Sequence, residues 1–189
     1  MFALVFALVG AGTASATVLC KEAKNPCGAD YPAGTEVKAE LVAGSVAIFD
    51  SPTKIRYDEC KKSTLTGKTT GTGGSSSTVT IALTALSWSE CKATKEFLKF
   101  GSFEVHYSEG ANGTATAKAV EWKESGCTYV AAAEPVKIST LKASTSLTSH
   151  ATLAMQLEAK GSGIFCNTAV LVSADYTITA PVPLFVEPS

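Results

Sequence analysis

The sequence predicts an all-β chain, an antiparallel β-sandwich or partly closed barrel stapled by three disulfides. Three observations carry that prediction. Apolar residues recur with period two over several runs, whereas no stretch longer than a turn or two holds a 3.6-residue period. Clusters of Gly, Pro, Asn and Ser separate the runs. Six cysteines, Cys20, Cys27, Cys60, Cys91, Cys127 and Cys166, lie scattered behind an apolar leader with no C-x-x-C pair. That usage suits a disulfide framework in an exported protein better than a metal or redox site.

The leader decides how the cysteines are read. Phe2 to Val9 is an unbroken apolar run, and after Gly10 to Thr13 the segment Ala14-Ser15-Ala16 fits the small-x-small rule for signal peptidase. Residues 1–16 are therefore expected to be a signal peptide and 17–189 a single secreted β domain. An apolar run of about eight residues falls far short of the roughly 20 that span a bilayer, so no membrane insertion is expected after cleavage. The customary Lys or Arg is missing ahead of the run, and a start assigned too far downstream would explain that. Cys20 lies near the cut, but Thr17-Val18-Leu19 lacks the small residue that precedes a lipidated cysteine, so Cys20 is read as half of a disulfide.

The strands follow in order. Val37, Ala39 and Leu41 alternate with Lys38 and Glu40, and Phe103, Val105 and Tyr107 alternate with Glu104, His106 and Ser108. Both runs read as half-buried strands. Val79, Ile81 and Leu83 hold one phase while Leu86 and Trp88 hold the other, which places a β-bulge near Thr84 and Ala85. Leu147, Ala151, Leu153, Met155 and Leu157 share one parity. In the longest run, Cys166, Thr168, Val170, Val172, Ala174, Tyr176 and Ile178 share a face, which puts Cys166 on the core side. Turns are expected at Pro32-Ala33-Gly34, Asp50-Ser51-Pro52, Ala111-Asn112-Gly113 and Lys160-Gly161-Ser162-Gly163. Thr66 to Ser77 reads as a mobile low-complexity connection. Ala180-Pro181-Val182-Pro183 cannot donate regular ladder bonds, so the tail is expected to run as an edge or extended segment.

Composition narrows the partners. Sixteen basic and 17 acidic residues give a formal charge of −1, and the lysines are dispersed. Nucleic acid and anionic membrane surfaces are not expected as partners on that ground.

Six cysteines allow 15 connectivities. Asn25-Pro26 favours a turn that would bring Cys20 to Cys27, and sequential pairing of Cys60 with Cys91 and of Cys127 with Cys166 completes the expectation. In the loop-entropy picture the three closures contribute about 2.5, 3.7 and 3.9 kcal/mol, comparable in sum to the whole stability of a domain.

Candidates for chemistry mostly dissolve. His106 and His150 fall on the polar phase of their strands, and neither has a second ligand at metal spacing. Ser51 to Lys54, Ser89 to Lys92 and Ser139 to Lys142 match Ser-x-x-Lys without its companion motifs. Gly67-Lys68-Thr69 lacks the first glycine of a phosphate loop, because Lys62 stands there. Asp58 and Glu59, beside Lys61 and Lys62, read as surface charge. No catalytic residue, cofactor or metal is assigned. Trp88, Trp122 and Tyr129 lie near cysteines, which suits aromatics packed on bridges. The alternative gives Trp122, flanked by Glu121, Lys123 and Glu124, to the surface as a stacking platform for a sugar ring or a partner's apolar patch.

The segments CKEAKNPCGADYPAGTEVKAEL, TLTGKTTGTGGSSSTVTIALTALSWSEC, CTY and CNTAVLVSADYTITAPVPLFV resemble a group of secreted bacterial proteins of uncharacterised function. The resemblance implies an exported β-sandwich and carries no active site with it. Two classes of function remain open from the sequence. One is a non-enzymatic secreted or envelope-associated protein that binds an extracellular glycan, protein or surface. The other is a small secreted hydrolase whose carboxylates are assembled by the fold, which a buried pair of carboxylates in a cleft would support. An inhibitor or toxin built on an exposed loop is the weaker third.

Overall fold

The computed structural model describes residues 16–74, 78–108, 112–131, 138–142, 149–160 and 166–189. Most of the expected leader lies outside them, as do Ser75 to Ser77, Ala111, Leu147 and the Gly161 to Gly163 turn. Fourteen strands and no helix form among the described residues: β1 (Thr17–Cys20), β2 (Glu36–Leu41), β3 (Ala47–Asp50), β4 (Arg56–Thr69), β5 (Val79–Cys91), β6 (Lys95–Lys99), β7 (Ser102–Ser108), β8 (Asn112–Lys118), β9 (Glu121–Glu124), β10 (Cys127–Ala131), β11 (Ile138–Lys142), β12 (Ser149–Ala159), β13 (Ala169–Ala180) and β14 (Phe185–Pro188).

The ladders are antiparallel and can be followed around a circuit. From β4 pairing passes through β5, β7, β8, β11, β12 and β13. It then returns to β4 through β2 near one end of β13 and through β3 near the other. Such a circuit leaves few free sheet edges and is compatible with the sandwich or partly closed barrel that the sequence predicts. An arm, β10–β9–β6, leaves β12 where Tyr129 faces Ala159 and ends on β6.

Period-two burial matches the sequence pattern where it was clearest. In β2, Val37 and Ala39 are buried between exposed neighbours, and in β13 Val170, Val172, Ala174, Tyr176 and Ile178 all face the core. The bulge sits where the phase switch put it: Thr66 faces Ala85 and Gly67 faces Leu83, which leaves Thr84 unopposed and Thr84 and Ala85 both outward. A second change of face was not foreseen. In β4, Asp58 and Cys60 point inward, then Ser63 and Leu65 do, with Lys61 and Lys62 both exposed between them.

β1 and β14 form a separate two-stranded ribbon over the core side of β7 and β8. Small residues on β8, Gly113, Ala115 and Ala117, make room for it. A Cβ on Gly113 would stand 2.6 Å from Val186 Cγ2. The proline-rich tail therefore leads into a buried strand, because Phe185 to Pro188 can still pair with β1 once Ala180-Pro181-Val182-Pro183 has been passed.

All three disulfides join the expected partners: Cys20 to Cys27, Cys60 to Cys91 and Cys127 to Cys166, with Cα separations of 5.9, 4.0 and 5.7 Å. Cys60 and Cys91 are directly opposed on β4 and β5. Two positions differ from expectation. Cys166 packs against the core as expected but precedes β13, and Thr66 to Thr69 belong to β4, held between β2 and β5 and so not a mobile connection. Three bridges mark an oxidising, extracellular type of environment.

Candidate functional site

Three charged residues that patterning assigns to the surface meet in the core below the barrel's aromatic cluster. Asp58 comes from β4, Lys95 from the start of β6 and Glu124 from the end of β9, where register sets Lys95 directly opposite Glu124. Each shares its parity with a residue that must be inward: Asp58 with Cys60, Lys95 with Phe97, Glu124 with Trp122. Burial of those partners carries the charged residues in with them.

The Lys95 side chain is wholly buried. Its Nζ donates to Asp58 Oδ2, to Glu124 Oε1 at 2.9 Å and to Ala93 O at 3.4 Å. The ammonium lies 4.2 Å from the ring centroid of Phe49 and 5.9 Å from that of Trp122, within the range of cation–π attraction. Asp58 Oδ1 also accepts the backbone N–H groups of Glu59 at 2.7 Å and Lys92 at 2.9 Å, and Oδ2 accepts that of Ala93 at 3.2 Å.

The two carboxyls are driven apart. Burial pushes Asp58 up, but Lys95 and the converging N–H groups outweigh it and hold the carboxyl below its ordinary range. Burial pushes Glu124 up, the Asp58 carboxylate adds to this, and one contact to Lys95 does not cancel them. Tyr57 is raised well above the ordinary phenol range by burial and then by the Glu124 charge.

Beside the triad lies a cleft of about 250 Å³ lined by Tyr57, Lys92, Ser125, Tyr129 and Asn167 together with Asp58 and Glu124. Glu124 Oε2 and Tyr57 Oη are buried without a hydrogen-bond partner. The cleft is thus lined by a carboxyl and a phenol that each keep one covered polar atom unpartnered. Lys95 Nζ bonds one oxygen of each carboxyl.

Trp122 is fully buried, against Trp88 at 4.4 Å, Phe49 at 5.2 Å and Tyr129 at 5.9 Å between ring centroids. This corrects the stacking-platform alternative: register opposes Trp122 to both Phe97 and Tyr129, so the indole closes the core and offers no face to solvent. Glu121 is also buried, paired to Lys99 at 3.3 Å and Lys160 at 3.5 Å. His106 is half-buried on β7, away from the triad's strands, and the side chain of His150 lies outside the described residues. Among the described residues no cluster of three or more His, Cys, Asp or Glu is placed to hold a metal ion. The six cysteines are consumed by the bridges. Comparison with known protein families, curated proteins and solved structures finds no match.

Proposed function

We propose that the chain is an exported, non-enzymatic protein that acts outside the cytoplasm as a binding or structural module. Its contact for a small polar group of an extracellular glycan or protein is the cleft beside Glu124 and Tyr57. The observation that carries this reading is the position of Lys95. Both buried carboxyls spend an oxygen on one ammonium, so the pair that would have supported a hydrolase is a structural clamp that leaves one acceptor, Glu124 Oε2, covered and unpartnered. An unpartnered carboxyl oxygen and an unpartnered phenol on residues lining one cleft suit a ligand hydroxyl or amide that reaches them as the wall gives, donating to the carboxyl and accepting from the phenol.

A glycan array and a pull-down with the oxidised protein test the reading. Lys92→Trp blocks the rim from an exposed position without touching the clamp. Specific binding abolished by this substitution supports the assignment. Hydrolytic turnover of a captured glycan, or binding indifferent to Lys92→Trp, refutes it.

A further inference from the structure

The clamp has the parts of a condensation reaction. A primary amine and a carboxyl are in direct contact. A second carboxyl touches the same amine at 2.9 Å, and the amine is sealed under Phe49 and Trp122. An apolar trio of similar volume often stabilises a core as well or better, so a buried charged trio points to a role beyond packing. We propose that Lys95 Nζ and Asp58 Cγ become joined in an intramolecular isopeptide bond, formed by the folded chain itself with Glu124 relaying the protons.

The step balances without any co-reactant. A proton moves from the Lys95 ammonium to Asp58 through Glu124, which leaves a neutral amine and a carboxylic acid. The nitrogen lone pair attacks Asp58 Cγ, and the Glu124 carboxylate takes the second proton from the nitrogen as the C–N bond forms. Glu124 passes that proton to the hydroxyl on Cγ, the Cγ–O bond breaks, and water leaves. No electron is transferred and Glu124 ends as it began.

Three physical terms favour it. Fixed neighbours in a folded chain react at effective concentrations on the order of 10⁵–10⁸ M. The product amide carries no charge, so the desolvation of two buried ions is relieved. Burial raises the Glu124 carboxyl, which eases its taking up a proton from Lys95 in the relay. The bond ties the β6–β9 side of the arm to the barrel wall at β4, and it encloses the Cys60–Cys91 loop within a wider one from 58 to 95.

Intact mass spectrometry of the purified protein, reduced and denatured, decides the matter. The wild-type mass is expected one water, about 18 Da, below that of the reduced sequence. Tryptic digestion should yield a branched peptide joining residues 57–61 to 93–99, since a condensed Lys95 resists cleavage. Lys95→Ala, Asp58→Ala and Glu124→Gln should each restore the full mass. Asp58→Asn keeps the proposal testable if those variants fold poorly: it should lose ammonia and reach the same linked product. A wild-type protein at full mass overturns the proposal, as does a water lost between other residues. A branched peptide that persists in Glu124→Gln overturns the role given to Glu124.

Discussion

The two tryptophans offer a controlled comparison, because they share one cluster and differ in what their indole N–H groups meet. Trp88 Nε1 donates to Tyr176 Oη at 3.3 Å, and that hydroxyl also bonds Ser63 Oγ at 2.7 Å. Trp122 Nε1 is buried without a partner. Substituting Phe at either position removes about 40 Å³ of ring, and at about 24 cal/mol per Å³ the cavity costs about 1 kcal/mol. At Trp88 a hydrogen bond of about 1 kcal/mol goes as well, for a loss of about 2 kcal/mol. At Trp122 the substitution removes a buried, unsatisfied donor whose desolvation costs about 1–3 kcal/mol, so the protein should be unchanged or up to about 2 kcal/mol more stable. The two variants should therefore differ by at least about 2 kcal/mol, or about 4–8 °C in Tm for a chain of this size. Denaturation followed by far-UV circular dichroism measures this without relying on indole emission. If Trp122→Phe falls as far as Trp88→Phe, the inference from the orphan N–H is wrong.

Four further outcomes are open to measurement. Iodide should quench neither indole appreciably, since Trp122 and Trp88 are 0% and 5% exposed; one readily quenched indole would return Trp122 or Trp88 to the surface. Reduction of the three bridges should lower the melting midpoint sharply or abolish cooperative melting, because their loop closures sum to roughly 10 kcal/mol against a domain stability of about 5–15 kcal/mol; an unchanged midpoint would sink this. Glu187 is buried in β14, and burial raises its carboxyl, so whatever it contributes is fully present below about pH 4 and lost as pH rises through its folded value. Glu187→Gln should accordingly gain about 1–2 kcal/mol over wild type at pH 7.5 and little at pH 4, and a pH-independent gap in calorimetry would count against it. Gly113→Ala should cost about 1–3 kcal/mol by driving a methyl into Val186, and Val186→Ala in the same chain should recover part of that; no recovery would misplace the ribbon.

How far the sequence could be read depended on whether a feature is local. Alternation along one strand is local, and it placed the β13 core face and the bulge at Thr84 correctly. Nearest-neighbour pairing of cysteines is almost local, since each bridge closes an excursion of 7, 31 or 39 residues. The triad is not local. Asp58, Lys95 and Glu124 sit on three strands that meet only through the arm, and each looks like solvated charge when read beside Glu59, Glu96 or Lys123. A trace was present in parity, because Asp58 stands two residues from a bridged cysteine and Glu124 two from Trp122. It was masked in β4 by the change of face at Lys61 and Lys62, which made the neighbourhood of Asp58 read as a charged surface. The default reading of Trp122 as core packing agrees with its full burial; the surface alternative rested on its flanking charges, and of these Glu121 and Glu124 are themselves buried and ion-paired.

The location of the side-chain links follows from where backbone pairing ends. Around the circuit each wall strand is laddered to a neighbour on both sides over at least part of its length, and Cys60–Cys91 adds a tie between β4 and β5. The arm is different: β10 leaves β12, β9 follows, and β6 is the last strand, laddered on the β9 side alone. A terminal strand of five residues is the weakest element of such a sheet, and its open N–H and C=O groups invite fraying. There the chain places Lys95 on Asp58, the aromatic contact of Phe97 with Trp88 at 4.8 Å and, at the arm's root, the Cys127–Cys166 bridge. An ionic clamp at that point would depend on pH and on the exclusion of water from the cleft beside it. A covalent one would not, and it would fix the strand that is otherwise the first to open.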